Sequence, residues 1–149
     1  MHSEPQKIPL KILLADDDTD DRSFFEKALK QTPIATSLTT FNDGEQLMNY
    51  LSSNPESLHD VLFLDLSMPR KTGFECLSEI MENEKLKDIP VVVFTTSFVR
   101  GIDFEQNLIN TLSKLGALEY IRKPGSIDEL KKIINQTLIK VMQRKGVSE

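Results

Sequence analysis

The sequence predicts an open α/β fold, a parallel sheet with helices on both faces. Three observations predict it. Short apolar runs alternate with amphipathic stretches along the whole chain. Two of those runs, Val61–Leu64 (VLFL) and Val91–Phe94 (VVVF), have no polar alternation, as strands buried on both faces require. The polar residues out of keeping with their surroundings cluster just after the strands, where an open α/β sheet binds its ligands.

The elements follow in order. Lys11–Ala15 (KILLA) is an apolar first strand, and Phe24, Phe25, Ala28 and Leu29 mark Thr19–Lys30 as a helix. Ser37–Phe41 is a weaker second strand. Asp43–Leu51 places Leu47, Met48 and Leu51 on one helical face, and Val61–Leu64 is the third strand. Thr72 and Glu75 form a capping box, opening a helix over Thr72–Met81. Val91–Phe94 is the fourth strand. Phe104–Leu115 is a helix closed by Gly116, and Leu118–Ile121 is the fifth strand. Ser126 and Glu129 form a second box, before a helix whose apolar face carries Ile127, Leu130, Ile133, Ile134, Leu138 and Val141. Five strand–helix units result.

Composition narrows the function. A chain of 149 residues holds one domain with one core, and a net charge of -5 argues against a general grip on nucleic-acid phosphates. No apolar run nears the ~20 residues of a membrane span, and the N-terminus lacks a signal-peptide pattern. The lone Cys76, among Phe74, Leu77 and Ile80, reads as packing rather than chemistry. His59, before the third strand, reads as a solvated loop histidine. Together these features imply an acidic, cytoplasmic protein.

Five aspartates fall within residues 16–21, straight after the first strand. Asp18, Asp20 and Asp21 suit the first helical turn, where carboxylates cap and favour the dipole. Asp16 and Asp17 remain, and beyond other strands stand Asp65, the pair Thr95 and Thr96, and Lys123. Three carboxylates facing a lysine, without histidine or cysteine, are ligands for a hard cation: Mg²⁺, with Mn²⁺ or Ca²⁺ as substitutes. Such a cation offsets the repulsion among Asp16, Asp17 and Asp65.

The ordered motifs LLADDD, LFLDLSMPRKTGFE, PVVVFTTS and EYIRKP resemble the receiver domain of two-component response regulators, over roughly residues 9–143. The resemblance implies a (βα)5 fold, a doubly wound five-stranded parallel sheet of flavodoxin-like strand order 2-1-3-4-5. It implies phosphoryl transfer from a kinase phosphohistidine to Asp65 with Mg²⁺. Asp17 would be a direct metal ligand, Asp16 a ligand through water, and the Ser67 backbone carbonyl a further one. Thr95 would be the switch hydroxyl, Thr96 a phosphoryl contact, Lys123 the partner of the phosphoryl charge, and Tyr120 the aromatic switch. Pro124 suggests a cis Lys-Pro bond. Thr96 stands where alanine is frequent in the family, and the Thr-Thr-Ser form resembles stand-alone receivers paired with phytochrome-type kinases.

The expectation is a single receiver domain over residues 1–149 with no output domain, signalling through proteins. Its partners would be a sensor histidine kinase or histidine phosphotransfer protein and an unknown downstream protein, with neither nucleic acid nor membrane. It would not be an enzyme beyond its own phosphorylation and dephosphorylation. The last helix, about 18 residues or roughly 27 Å long, would extend the helix 4–strand 5–helix 5 face as a surface for a homodimer. Phe98, Val99, Ile102 and Phe104 in the connection after the fourth strand would face a partner or fold back as a lid. Ser67 lies where aspartyl-phosphate phosphatases need an acid two residues after the nucleophile, which argues against such an enzyme. A receiver-like interaction domain working without phosphorylation is the alternative.

Overall fold

The computed structural model describes residues 8–55, 59–96 and 102–144. Its elements are β1 (Leu10–Ala15), α1 (Thr19–Lys30), β2 (Thr36–Phe41), α2 (Gly44–Ser53), β3 (Val61–Leu64), α3 (Gly73–Glu82), β4 (Val91–Thr95), α4 (Ile102–Leu115), β5 (Glu119–Arg122) and α5 (Ile127–Arg144). The strands form one parallel sheet in the order β2-β1-β3-β4-β5, the (βα)5 arrangement the sequence implied.

The period-two alternation of the strands divides the core. Leu13, Ala15, Leu62, Leu64, Val91 and Val93 face one side, where Leu47, Leu51, Leu77, Ile80 and Leu112 of α2, α3 and α4 cover them. Ile12, Leu14, Val61, Phe63, Val92 and Phe94 face the other side, under Phe25 and Ala28 of α1 and Leu130, Ile134 and Leu138 of α5. Phe25 meets Phe63 edge-on at 4.9 Å and Phe94 at 5.6 Å. Burying each such side chain contributes roughly 1.5–3 kcal/mol, so this two-sided cover dominates the stability of the sheet. The sheet in turn fixes where its carboxyl edge stands.

Local chemistry sets the helix ends. Asp18 caps α1 through the Asp21 N–H, and Asp43 caps α2 through the Gln46 N–H. The predicted Thr72–Glu75 capping box is complete. At α5 the box is altered: Glu129 N–H donates to Ser126 Oγ at 3.2 Å, while the Ser126 hydroxyl, not its backbone, donates to the Glu129 carboxylate. Gly116, with φ of 111°, ends α4. Ala117 N–H bonds the Leu112 carbonyl and Gly116 N–H bonds that of Ser113, the paired bonds of a Schellman end.

Two expectations need correction. Lys123–Pro124 is not cis, since the described residues contain no cis peptide. The bond from Lys123 N–H to the Thr95 carbonyl, at 2.8 Å, continues the β4–β5 pairing and carries the chain on past β5. His59 is not solvated. It is 6% exposed, and its ring lies 5.5 Å from that of Tyr50. The imidazole packs against Tyr50, and burial pushes its pKa down. The connection after β4 lies largely outside the described residues, as do Phe98 and Val99. The side chains of Ile102 and Phe104 are likewise not described.

Candidate functional site

The carboxyl ends of β1, β3, β4 and β5 bring the predicted residues together. Asp65 follows β3 and is 5% exposed, and its backbone N–H donates to the Ala15 carbonyl at 3.0 Å, extending the β1–β3 ladder. Thr95 is the last residue of β4, fully buried, and its hydroxyl donates to Asp65 Oδ1 at 2.9 Å. The N–H of Ser67 points at the same oxygen from 3.4 Å. Asp16 follows β1 and is 1% exposed, whereas Asp17 is exposed. Asp16, Asp17 and Asp65 each present a carboxylate oxygen, and these oxygens lie within 4.8 Å of one another.

Lys123, just past β5, crosses this cluster. Its ammonium donates to Asp16 Oδ2 at 2.6 Å, Asp21 Oδ2 at 2.8 Å and Asp65 Oδ2 at 3.4 Å. It also lies 5.7 Å from the centre of the Phe94 ring. Burial acts to lower the lysine pKa, but the hydrogen bonds to Asp16 and Asp21 outweigh it and hold the pKa above its usual range. Asp16 shows the opposite balance. Burial lifts its pKa to about 6, against the pull of Lys123 and the Asp18 N–H. Burial is the main cause, and a cation bound among these carboxylates would favour the ionised Asp16.

The donors are all oxygen, the set that hard divalent cations take. Asp16, Asp17 and Asp65 would hold such an ion.

The loop after Asp65 is braced from two sides. A Cβ on Gly73 would lie 2.3 Å from the Asp65 carbonyl oxygen, and one on Gly44 would lie 2.1 Å from the Lys71 carbonyl oxygen. Only glycine lets the starts of α3 and α2 approach so closely. Arg70, at a left-handed φ of 69°, ties this loop to α2 by an Nε–Asp43 Oδ2 bond of 3.1 Å.

The other expected residues lie further out. Thr96 is exposed one step beyond Thr95. Tyr120 is half-buried, and its hydroxyl donates to Glu105 of α4 at 3.3 Å. Arg122 holds the same carboxylate oxygen at 2.6 Å. Burial first, then the Glu105 charge, raises the pKa of Tyr120.

Sequence reasoning missed the part played by Asp21. Read as a helix-dipole acid, it is also a ligand of Lys123. The cue was its position, three residues after the Asp18 cap, from which a side chain reaches back over the start of the helix. It also missed Arg22, whose Nη1 donates to the Asp16 carbonyl at 2.7 Å.

The response regulator receiver domain family matches residues 12–135. The chain belongs to that family. Among curated receivers, response regulator Rcp1 of Synechocystis sp. is 37% identical over 99 residues, covering 64% of this chain and 67% of that protein. The 3',5'-cyclic-nucleotide phosphodiesterase regA of Dictyostelium discoideum is 28% identical over 97% of this chain, which corresponds to 17% of its own length. The crystal structure of the phosphorylated cyanobacterial phytochrome response regulator RcpA superposes with a TM-score of 0.75 at 29% identity, covering 95% of this chain and 98% of that one. The Mn²⁺-bound form of Rcp1 superposes with a TM-score of 0.71 at 31% identity, covering 86% of this chain and 91% of that one. The receiver fold and its place in two-component signalling are thus established. No helix among the described residues is long and apolar enough to cross a membrane.

Proposed function

We propose that this receiver accepts a phosphoryl group on Asp65 from a phosphohistidine of a sensor histidine kinase or histidine phosphotransfer protein. It would relay the signal by a phosphorylation-dependent protein interaction or by passing the group onward. The observation that carries the reading is the convergence of Asp16, Asp17, Asp65, Thr95 and Lys123 on one sheet edge. In the transfer, an Asp65 oxygen bonds to phosphorus as the P–N bond to the donor imidazole breaks, and that bond's electron pair stays on the imidazole nitrogen. A Mg²⁺ ion held by Asp16, Asp17, Asp65 and the Ser67 carbonyl would supply positive charge to the phosphoryl oxygens. Lys123 supplies the fixed cation, and Thr95 supplies a hydroxyl that can turn from Asp65 to the new phosphoryl oxygens. Thr96, exposed one step beyond Thr95, would contact the phosphoryl group.

The added charge would act on Thr95 and, through β5 and α4, on Tyr120 with its Glu105 and Arg122 partners. The face made by α4, β5 and α5 would then change for a downstream protein or a second copy of the chain. Sedimentation of phosphorylated and unphosphorylated protein tests the dimer, and two identical monomeric profiles would refute it. The receiver domain would act in the cytoplasm.

The deciding experiment is intact mass spectrometry after incubation with a small acyl phosphate, with and without Mg²⁺, on wild type and Asp65→Asn. One phosphoryl on wild type alone, only with the metal, is the expected result. No adduct from either the acyl phosphate or a phosphohistidine donor would exclude the proposal.

A further inference from the structure

We propose that Asp21 is a positioning residue for phosphoryl uptake, holding the Lys123 ammonium in place when Asp16 turns to the metal. The inference rests on the phosphoacceptor role of Asp65 and extends it to a residue outside that site's expected set.

The geometry carries it. An ammonium has three hydrogens, and those of Lys123 are directed at Asp16, Asp21 and Asp65 at 2.6, 2.8 and 3.4 Å. Two of these partners have competing duties. Asp65 is the acceptor, and its long contact is the one an arriving phosphoryl oxygen replaces. Asp16 belongs to the carboxylate triad, and its other oxygen already accepts the Asp18 N–H at 3.0 Å. With a divalent cation on that triad, Asp16 would share its charge with the ion and hold Lys123 less tightly. Asp21 lies outside the triad, anchored in the first turn of α1. It alone among the three can keep a full ionic hydrogen bond to Lys123 in the metal-loaded site. Without it the lysine has a flexible four-carbon stem and no fixed partner, and the fixed cation that aligns the incoming phosphoryl becomes mobile.

The test uses the full chain, a small acyl phosphate and Mg²⁺, with uptake rates read by mass spectrometry. The comparison is Asp21→Asn against Asp20→Asn, which removes one charge from the same helical turn. Asp21→Asn is expected to lower the maximal uptake rate about three- to tenfold relative to Asp20→Asn, as loss of one aligning ionic contact does. Half-saturating Mn²⁺, measured by calorimetry, should shift no more than in Asp20→Asn. Asp21→Glu should recover part of the rate. In a Lys123→Met background, Asp21→Asn should slow uptake no further, because the two residues act as a unit. Equal rates for Asp21→Asn and Asp20→Asn, or an undiminished Asp21→Asn effect without Lys123, would overturn the inference and leave the role of Asp65 standing. Failure of wild type to take up a phosphoryl group would overturn both.

Discussion

The Thr95 hydroxyl donates to Asp65 Oδ1 at 2.9 Å, and both side chains are buried. β3 and β4 run parallel with Leu64 paired to Val93, so Asp65 and Thr95, just past that register, reach the same edge. Thr95→Val keeps the shape and removes the donor. The variant is expected to lose ~1–2 kcal/mol, the usual cost of leaving a buried acceptor short of a partner. Thermal unfolding in metal-free buffer checks this. A melting temperature equal to wild type would show that the bond adds nothing to stability.

Cation binding should depend on pH through Asp16. Its pKa stands at about 6 without metal, against 3.8 for an ordinary aspartate. A cation needs the ionised form, so affinity should rise with pH up to about 6 and then level. Metal-free stability runs the other way. The folded state holds the extra proton between 3.8 and about 6, so stability falls as pH rises through that window. The rise in melting temperature on adding Mn²⁺ should therefore be larger at neutral pH than at mildly acid pH. A rise of equal size at both would contradict the assignment of the site to Asp16.

Gly73→Ala should disturb the site from behind. The new methyl would fall 2.3 Å from the Asp65 carbonyl oxygen, a backbone atom that cannot rotate away. The start of α3 must move, and the loop from Asp65 to Thr72 moves with it. Phosphoryl uptake is expected to drop by more than about tenfold, since small misplacements at a reacting centre cost that much. Uptake at the wild-type rate would mean that the loop tolerates the shift.

His59 should make the protein sensitive to acid at the opposite end of the sheet. Burial lowers its pKa from 6.5, so the folded state resists a proton that the unfolded chain accepts. Stability attributable to His59 is complete above 6.5 and is lost as pH falls toward the folded value. In His59→Phe, which keeps a ring beside Tyr50, the decline of unfolding free energy just below that pH should be shallower than in wild type. Parallel pH profiles for the two proteins would rule this out.

Much of the architecture was legible in the chain because the physics behind it is local. Ile12 and Leu14 alternate with Leu13 and Ala15, and that alternation alone assigns opposite faces of β1. The pairing of Thr72 with Glu75 announced the start of α3 for the same reason. Asp16, Asp65, Thr95 and Lys123 could be marked as one group because a parallel sheet sends every strand's carboxyl end to the same edge. Which oxygen meets which donor is a different kind of fact. Lys123 and Asp16 lie 107 residues apart, and the choice of Asp16 and Asp21 over Asp65 as the nearer partners follows from strand order, register and the pitch of α1. The same holds for His59, polar by composition yet enclosed under Tyr50, and for Arg70, drawn to Asp43 by the close approach of α2. Periodicity and caps determined the elements and the edge on which chemistry gathers. Only tertiary packing decided the pairing within that edge, because distances of a few ångströms between remote residues are set by all the intervening contacts together.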